Sequence, residues 1–271
     1  IYDTARAAGL RRLLVVTGGD CSNAAALGEV WEAEGFDVIT FSFPPRPDAA
    51  AVAEAVAELA QAVGTTAEAA EAVYRRFAPT RALLAELDEL TWREGRVTGR
   101  ENFDWLLRAC DFAPGVETFE AEARTFREEA LARPPREAGV RLGLAGVPSI
   151  NGDLLEYLEE LGAAVVYNEL PRQFALLGGG DDLAGAYAAY TYPYGVGLRL
   201  ADLRAEAERR NLHGLVHYVQ SFCYRGIHDI LLRRELELPI LTVEGERPGP
   251  LSAQQRLRLE TFVDVARRRI S

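Results

Sequence analysis

The chain lacks methionine entirely, even at position 1, and it lacks lysine: all 30 of its cations are arginines. The start at Ile1 without methionine implies further residues upstream, and the missing lysine reads as an arginine-for-lysine bias. No stretch approaches the roughly 18 consecutive apolar residues of a membrane span. No signal peptide is expected either. Only three cysteines occur, Cys21, Cys110 and Cys223, and their odd number and wide spacing do not make a disulfide framework. A reducing cytoplasm is the expected location. Positive charge is also in deficit: the net charge is −11, which argues against non-specific nucleic-acid binding, because that needs clustered cations.

What is present describes a globular protein. A length of 271 residues suits one large domain or two of ordinary size, and 48% apolar with 26% charged residues is an ordinary core-forming balance. Residues 12–17 form a short β-branched run, hence a strand, followed by a turn over 18–23 and a helix from Ala24 to Glu34 closed by Gly35. Residues 36–41 are the next strand, which makes one βαβ unit and a parallel sheet. From Asp48 to about Arg133 the spacing turns helical, with three to five helices. A second α/β region follows, with strands over 140–145, 163–167, 215–222 and 239–243. Helices are expected over 154–161, 182–190, 200–210, 227–235 and 252–269. The predicted class is α/β: two doubly wound parallel-sheet lobes joined by a helical middle section. The boundaries are 1–65 for an N-terminal lobe incomplete at its start, 66–137 for the helical section, and 138–271 for the C-terminal lobe.

In such sheets ligands bind beyond the carboxyl ends of the strands. Three segments fall there: 18–23, 146–153 and 220–225. Two of them carry a cysteine. Cys223, at a strand-to-helix junction, stands where free backbone N–H groups and the helix dipole favour a thiolate. It can be a metal ligand, a nucleophile paired with His217 or His228, or a small half-buried residue without a role. Cys21, on the matching edge of the other lobe, has the same alternatives, and the two can face one cleft. Cys110 lies within a helical pattern and reads as core. A zinc site is poorly supported, since there is no C-x-x-C and the histidines near Cys223 are local and read as structural. Gly178-Gly-Gly-Asp-Asp182 lacks the lysine and spacing of a P-loop, and Gly18-Gly-Asp-Cys21 fails the dinucleotide fingerprint. Glu169 and Asp182 read as solvated loop carboxylates. Tyr187 and Tyr190 read as core, whereas Tyr192-Pro-Tyr194 cannot continue a helix and brings two ring hydroxyls to a loop able to line a pocket. Ser22, Pro148, Ser149, Asn151 and Arg225 complete the candidate pocket.

Several segments together resemble one known family. Gly143-Leu-Ala-Gly-Val-Pro148 with Leu154 to Glu169 is similar to the start of the C-terminal lobe of the D-component of 2-hydroxyacyl-CoA dehydratases, a family that includes the benzoyl-CoA reductase subunits. Gly214 to Cys223, Leu238-Pro-Ile-Leu-Thr-Val-Glu244 and Gln255 to Phe262 resemble its later strands and final helix, and Thr17 to Ser22 with Phe43-Pro-Pro45 its N-terminal lobe. The resemblance implies a [4Fe–4S] protein whose cluster is held by three cysteines. It also implies an acyl-CoA substrate, an ATP-dependent activator that delivers one electron, and a dimer with a homologous subunit. The electron passes to the acyl thioester, and the resulting ketyl radical expels hydroxide. Cys21 and Cys223 match the second and third ligands; the first belongs some tens of residues before Cys21, and Cys110 does not match it. Two alternatives stay open: a cluster-free paralogue acting as an acyl-CoA-binding or partner subunit, and a reductase of the benzoyl-CoA type.

Overall fold

A computed structural model describes residues 2–19, 21–112, 114–221 and 223–270. Asp20, in the first expected turn, and Phe222, at the end of an expected strand, lie outside the described residues. In chain order the elements are α1 (Tyr2–Ala7), β1 (Arg12–Gly18), α2 (Ser22–Ala33), β2 (Asp37–Ser42), α3 (Ala49–Ala62), α4 (Ala67–Arg76), α5 (Ala78–Trp92), α6 (Gly99–Arg108) and α7 (Val116–Ala132). Then come β3 (Val140–Gly146), α8 (Leu154–Glu160), β4 (Ala163–Asn168), α9 (Glu169–Phe174), α10 (Leu183–Ala188), α11 (Val196–Arg209) and β5 (Gly214–Gln220). A 3₁₀ turn (Tyr224–His228), α12 (Asp229–Glu235), β6 (Ile240–Gly245) and α13 (Ala253–Arg267) complete the chain. The α/β class holds, with two parallel sheets.

The chain divides into two compact units, Ile1–Phe77 with Gly178–Gly195, and Ala78–Leu177 with Val196–Ser271. In the first unit β1 and β2 pair in parallel, Arg12 opposite Asp37 through Val16 opposite Phe41. Trp31 of α2 packs with Val15 and Phe36 beneath them. The excursion 178–195 is tied in by polar bonds: Tyr74 donates to the Gly180 carbonyl at 2.9 Å, and the Leu183 N–H donates to Glu71 at 2.9 Å. Of the central helices, α3 and α4 lie in this unit and α5 to α7 in the second.

The second unit is built on a four-stranded parallel sheet in the order β4-β3-β5-β6. On one face Leu142, Leu144, Val216, Tyr218 and Val243 pack against α8 and α13. On the other, Ala145, Leu215 and Ile240 pack with Leu203 of α11 and Leu232 of α12. A sheet covered on both faces has no solvent side, and this is why its strands read as unbroken apolar runs. The chain leaves β3 for β4 on one side and returns to β5 on the other. That reversal is a topological switch point between β3 and β5. Helix ends follow ordinary rules: Thr98 and Ser252 form capping boxes at α6 and α13, and Gly162 ends α8 at φ +75°.

Three local expectations change. The helix expected over 227–235 opens as a 3₁₀ turn, because the Gly226 N–H bonds to the Cys223 carbonyl. Cys110 is exposed rather than core, since α6 stops at Arg108 and the thiol lies in the turn beyond it. Glu169 opens an unforeseen helix, α9, whose first turn holds Pro171, where a missing N–H removes no helical bond.

Candidate functional site

The crevice at the switch point is framed by the segments leaving β3 and β5. Gly146 makes the first bend at φ +96°, and a Cβ there would lie 2.0 Å from the Tyr218 carbonyl oxygen. Only glycine fits so close an approach. Beyond it, the loop is fastened to the loop after β6. Tyr218 donates to Asn151 Oδ1 at 2.8 Å, and the Asn151 amide donates to the carbonyls of Gly249 and Pro250 at 3.2 and 3.4 Å. Ser149 Oγ donates to the Asn151 carbonyl at 3.1 Å. Ser149 and Asn151 therefore hold the loop itself. Pro148 beside them is half-buried.

Glu169, expected in solvent, is buried under the same edge. It takes a bidentate pair from Arg199 at 2.6 and 2.7 Å and the Gly146 N–H at 2.8 Å. Burial alone pushes its pKa up; the Arg199 charge and these hydrogen bonds outweigh it and hold the carboxyl below the usual range. Asp182 caps α10 by accepting from Gly185 N.

His217, on β5, is fully buried. Its Nδ1 lies 3.0 Å from Asp229 Oδ1, and Asp229 also accepts from Thr242 Oγ1 at 2.6 Å and Arg233 Nε at 2.5 Å. Burial, reinforced by the Arg199 charge, lowers the His217 pKa, so the ring is neutral. A carboxylate on Nδ1 fixes the proton there and leaves Nε2 an acceptor. His228, half-buried at the end of the 3₁₀ turn, is also held below its ordinary pKa by desolvation, with the Arg199 and Arg225 charges adding to it. His213 is structural: its Nδ1 accepts from the Arg141 N–H at 3.0 Å.

Cys223 stands three residues past β5, half-buried, with its N–H on the Gln220 carbonyl and its own carbonyl on Gly226 N. Arg225 beside it is buried, its guanidinium 5.3 Å from the Tyr224 ring centroid. Cys21 belongs to the first unit, half-buried at the residue before α2, and Ser22 after it is exposed. In that unit the ring of Phe43 packs edge-on with Tyr187, Tyr190 and Tyr194 at 5.7 to 6.1 Å. Tyr194 is buried with its hydroxyl on the Tyr187 carbonyl, and Tyr192 stacks on Tyr190.

The family described as 2-hydroxyglutaryl-CoA dehydratase, D-component, matches residues 7–265 of the sequence. The chain belongs to this family. It is accordingly a subunit of the 2-hydroxyacyl-CoA dehydratase kind. No curated relative matches it.

Family membership points this D-component toward an iron–sulfur cluster, and its thiols fit in kind: Cys21 and Cys223 are half-buried, each just beyond a parallel strand. In number they fall short among the described residues, which contain no group of three histidine, cysteine or acidic side chains arranged to hold a metal ion. Cys110 does not supply the missing donor. Desolvation and the Asp111 carboxylate push its thiol up to about 11, away from the thiolate a cluster needs. The Glu169–Arg199 and His217–Asp229 pairs of the D-component were not readable in the chain. Their partners lie 30 and 12 residues apart on different elements, with no local spacing that links them.

Proposed function

We propose that this chain is the iron–sulfur subunit of a 2-hydroxyacyl-CoA dehydratase-like enzyme, with Cys21 and Cys223 as thiolate ligands of a [4Fe–4S] cluster. The observation that carries the reading is Cys223 beyond the carboxyl end of β5, beside the switch point of the four-stranded sheet, in a chain matched to the family over residues 7–265. When bound, the cluster supplies the single electron that activates the acyl thioester. The third donor comes from outside the described residues. The chain's own residues give the crevice its form. Gly146 and the Tyr218–Asn151 bridge fix the loop after β3, and Arg225 brings a cation next to Cys223 for an anionic group of the thioester. An acyl-CoA is the substrate, an ATP-dependent activator the electron donor, and a homologous subunit the partner. Anaerobic purification with iron and sulfide analysis tests this. Cys21→Ser and Cys223→Ser should each lose iron, and fewer than about one iron per chain in the full-length wild type overturns it.

The shortage of thiolate donors favours one second reading, a cluster-free paralogue that binds acyl-CoA as a partner subunit. It predicts that Cys21→Ser and Cys223→Ser leave the CoA-ester dissociation constant unchanged. A loss of CoA-ester binding in either variant counts against it.

A further inference from the structure

Two imidazoles, one midway along β5 and one at the end of the 3₁₀ turn that follows it, are left with an unused nitrogen. His217 Nε2 and His228 Nδ1 are both buried and neither has a hydrogen-bond partner among the described residues. Buried polar atoms nearly always have partners, so two orphans within electrostatic reach of each other mark a place built to admit one. The rest of the arrangement is fully engaged. Asp229 of α12 holds His217 Nδ1 and is itself held by Thr242 of β6 and Arg233 of α12. The His217 ring edge sits against Gly146, since a Cβ there would lie 3.2 Å from His217 Cδ2. Gly146 in turn is bound by Glu169 of α9, which is paired to Arg199 of α11.

We infer that Asp229, His217 and His228 form an acid–base relay opening on the crevice beyond β3 and β5, with His228 as the group that exchanges a proton with the acyl substrate. The inference rests on the dehydratase reading and names residues for it. Dehydration breaks the C–H bond on the carbon beside the one bearing the hydroxyl, breaks the C–O bond and forms a C=C bond. A base takes the C–H proton, and the same proton or an equivalent one goes to the departing hydroxide to give water, so the relay ends as it began and no net electron is consumed. His228, half-buried, is the catalytic residue in this scheme. His217 and Asp229 are positioning residues: Asp229 fixes the tautomer, and His217 presents a lone pair from the interior. The charged groups facing the rings are Glu169, Arg199, Arg225, Asp229 and, through Asp229, Arg233. Arg199 favours neutral rings, ready to accept a proton near neutral pH.

Two measurements on the full chain test this. In ¹⁵N-histidine NMR, His217 should be neutral at neutral pH with its proton on Nδ1, and Asp229→Asn should change that tautomer balance. A charged His217, or a proton on Nε2, overturns the relay whether or not the chain is active. In anaerobic assays with the activator and a 2-hydroxyacyl-CoA, His228→Gln should lower kcat about 10²- to 10⁴-fold with iron content and KM held. Asp229→Asn should lower kcat less and displace the acidic limb of the pH profile. Wild-type kcat and pH profile in His228→Gln overturn the assignment. A wild-type chain with no dehydratase activity overturns the functional reading and the proton-carrying role with it, and the ring states then decide only whether the buried dyad exists as described.

Discussion

At the scale of single residues, the ion pair of Glu169 and Arg199 has the largest consequence for stability. Both side chains are at most 5% exposed, so removing one partner strands the other charge in a poorly solvating interior. Glu169→Gln should destabilise the second unit by about 3–5 kcal/mol, read as a lower urea midpoint at unchanged slope. Charge state also sets a pH dependence. His213, His217 and His228 all have lowered pKa values in the fold, desolvation first among the causes. The unfolded chain takes up these protons near about pH 6.5. Stability that depends on neutral rings is therefore complete above that pH and declines as pH falls toward their depressed folded values. Glu169 and Asp229, whose folded pKa values are also depressed, add a second decline below about pH 4.3. Urea midpoints should hold steady from about pH 8 to 7, then drop in these two stages. A flat profile through the histidine range would refute buried neutral rings. Residue identity alone misjudged two of these positions. Glu169 is the kind of side chain that is usually solvated, and Cys110 the kind that is usually buried; a distant arginine and an early helix end reversed both.

The elements show which signals travel along a sequence. The strands of the four-stranded sheet were legible because burial on both faces leaves a plain apolar run, and α2 and α8 because a glycine follows each. The 3₁₀ turn after Cys223 was not, since Ile227, Ile230 and Leu231 carry helical spacing while Ile227 and Ile230 are 69% and 68% exposed. Spacing reported an apolar face that the fold of this chain does not bury. The candidate thiols were legible as residues beyond strands, whereas the hydrogen bonds that shape the crevice join β5 to loops after β3 and β6 and leave no local pattern. Those bonds yield two graded outcomes. Tyr218→Phe leaves Asn151 Oδ1 without its buried donor and should cost about 1–3 kcal/mol. Gly146→Ala combines a left-handed backbone with a Cβ 2.0 Å from a carbonyl oxygen, and should be the more damaging of the two in thermal denaturation. Should the alanine variant prove as stable as wild type, the close approach of the two strand ends is wrong.

Across the whole molecule the two units differ in how thoroughly they bury their sheets. Leu14 of β1 is 55% exposed, while Leu215, Val216 and Tyr218 of β5 are at most 1% exposed. Native-state hydrogen exchange should therefore show β1 and β2 opening more readily than β3 and β5; equal protection would contradict this ranking. No described helix is long and apolar enough to cross a membrane. The α/β class and both parallel sheets were readable from pattern. The composition of the first unit was not, because nothing near Phe43 announces that its ring partners are Tyr187, Tyr190 and Tyr194. That separation has a bearing on synthesis. A ribosome adding about 5–20 residues per second needs roughly eight to thirty seconds to travel from Phe43 to Tyr194. During that interval Phe43, just beyond β2, stands without its ring partners, and the residues of β3 and β4 are made before those partners arrive. The aromatic cluster of the first unit is thus completed only after the chain between its two parts, including β3 and β4, has been made.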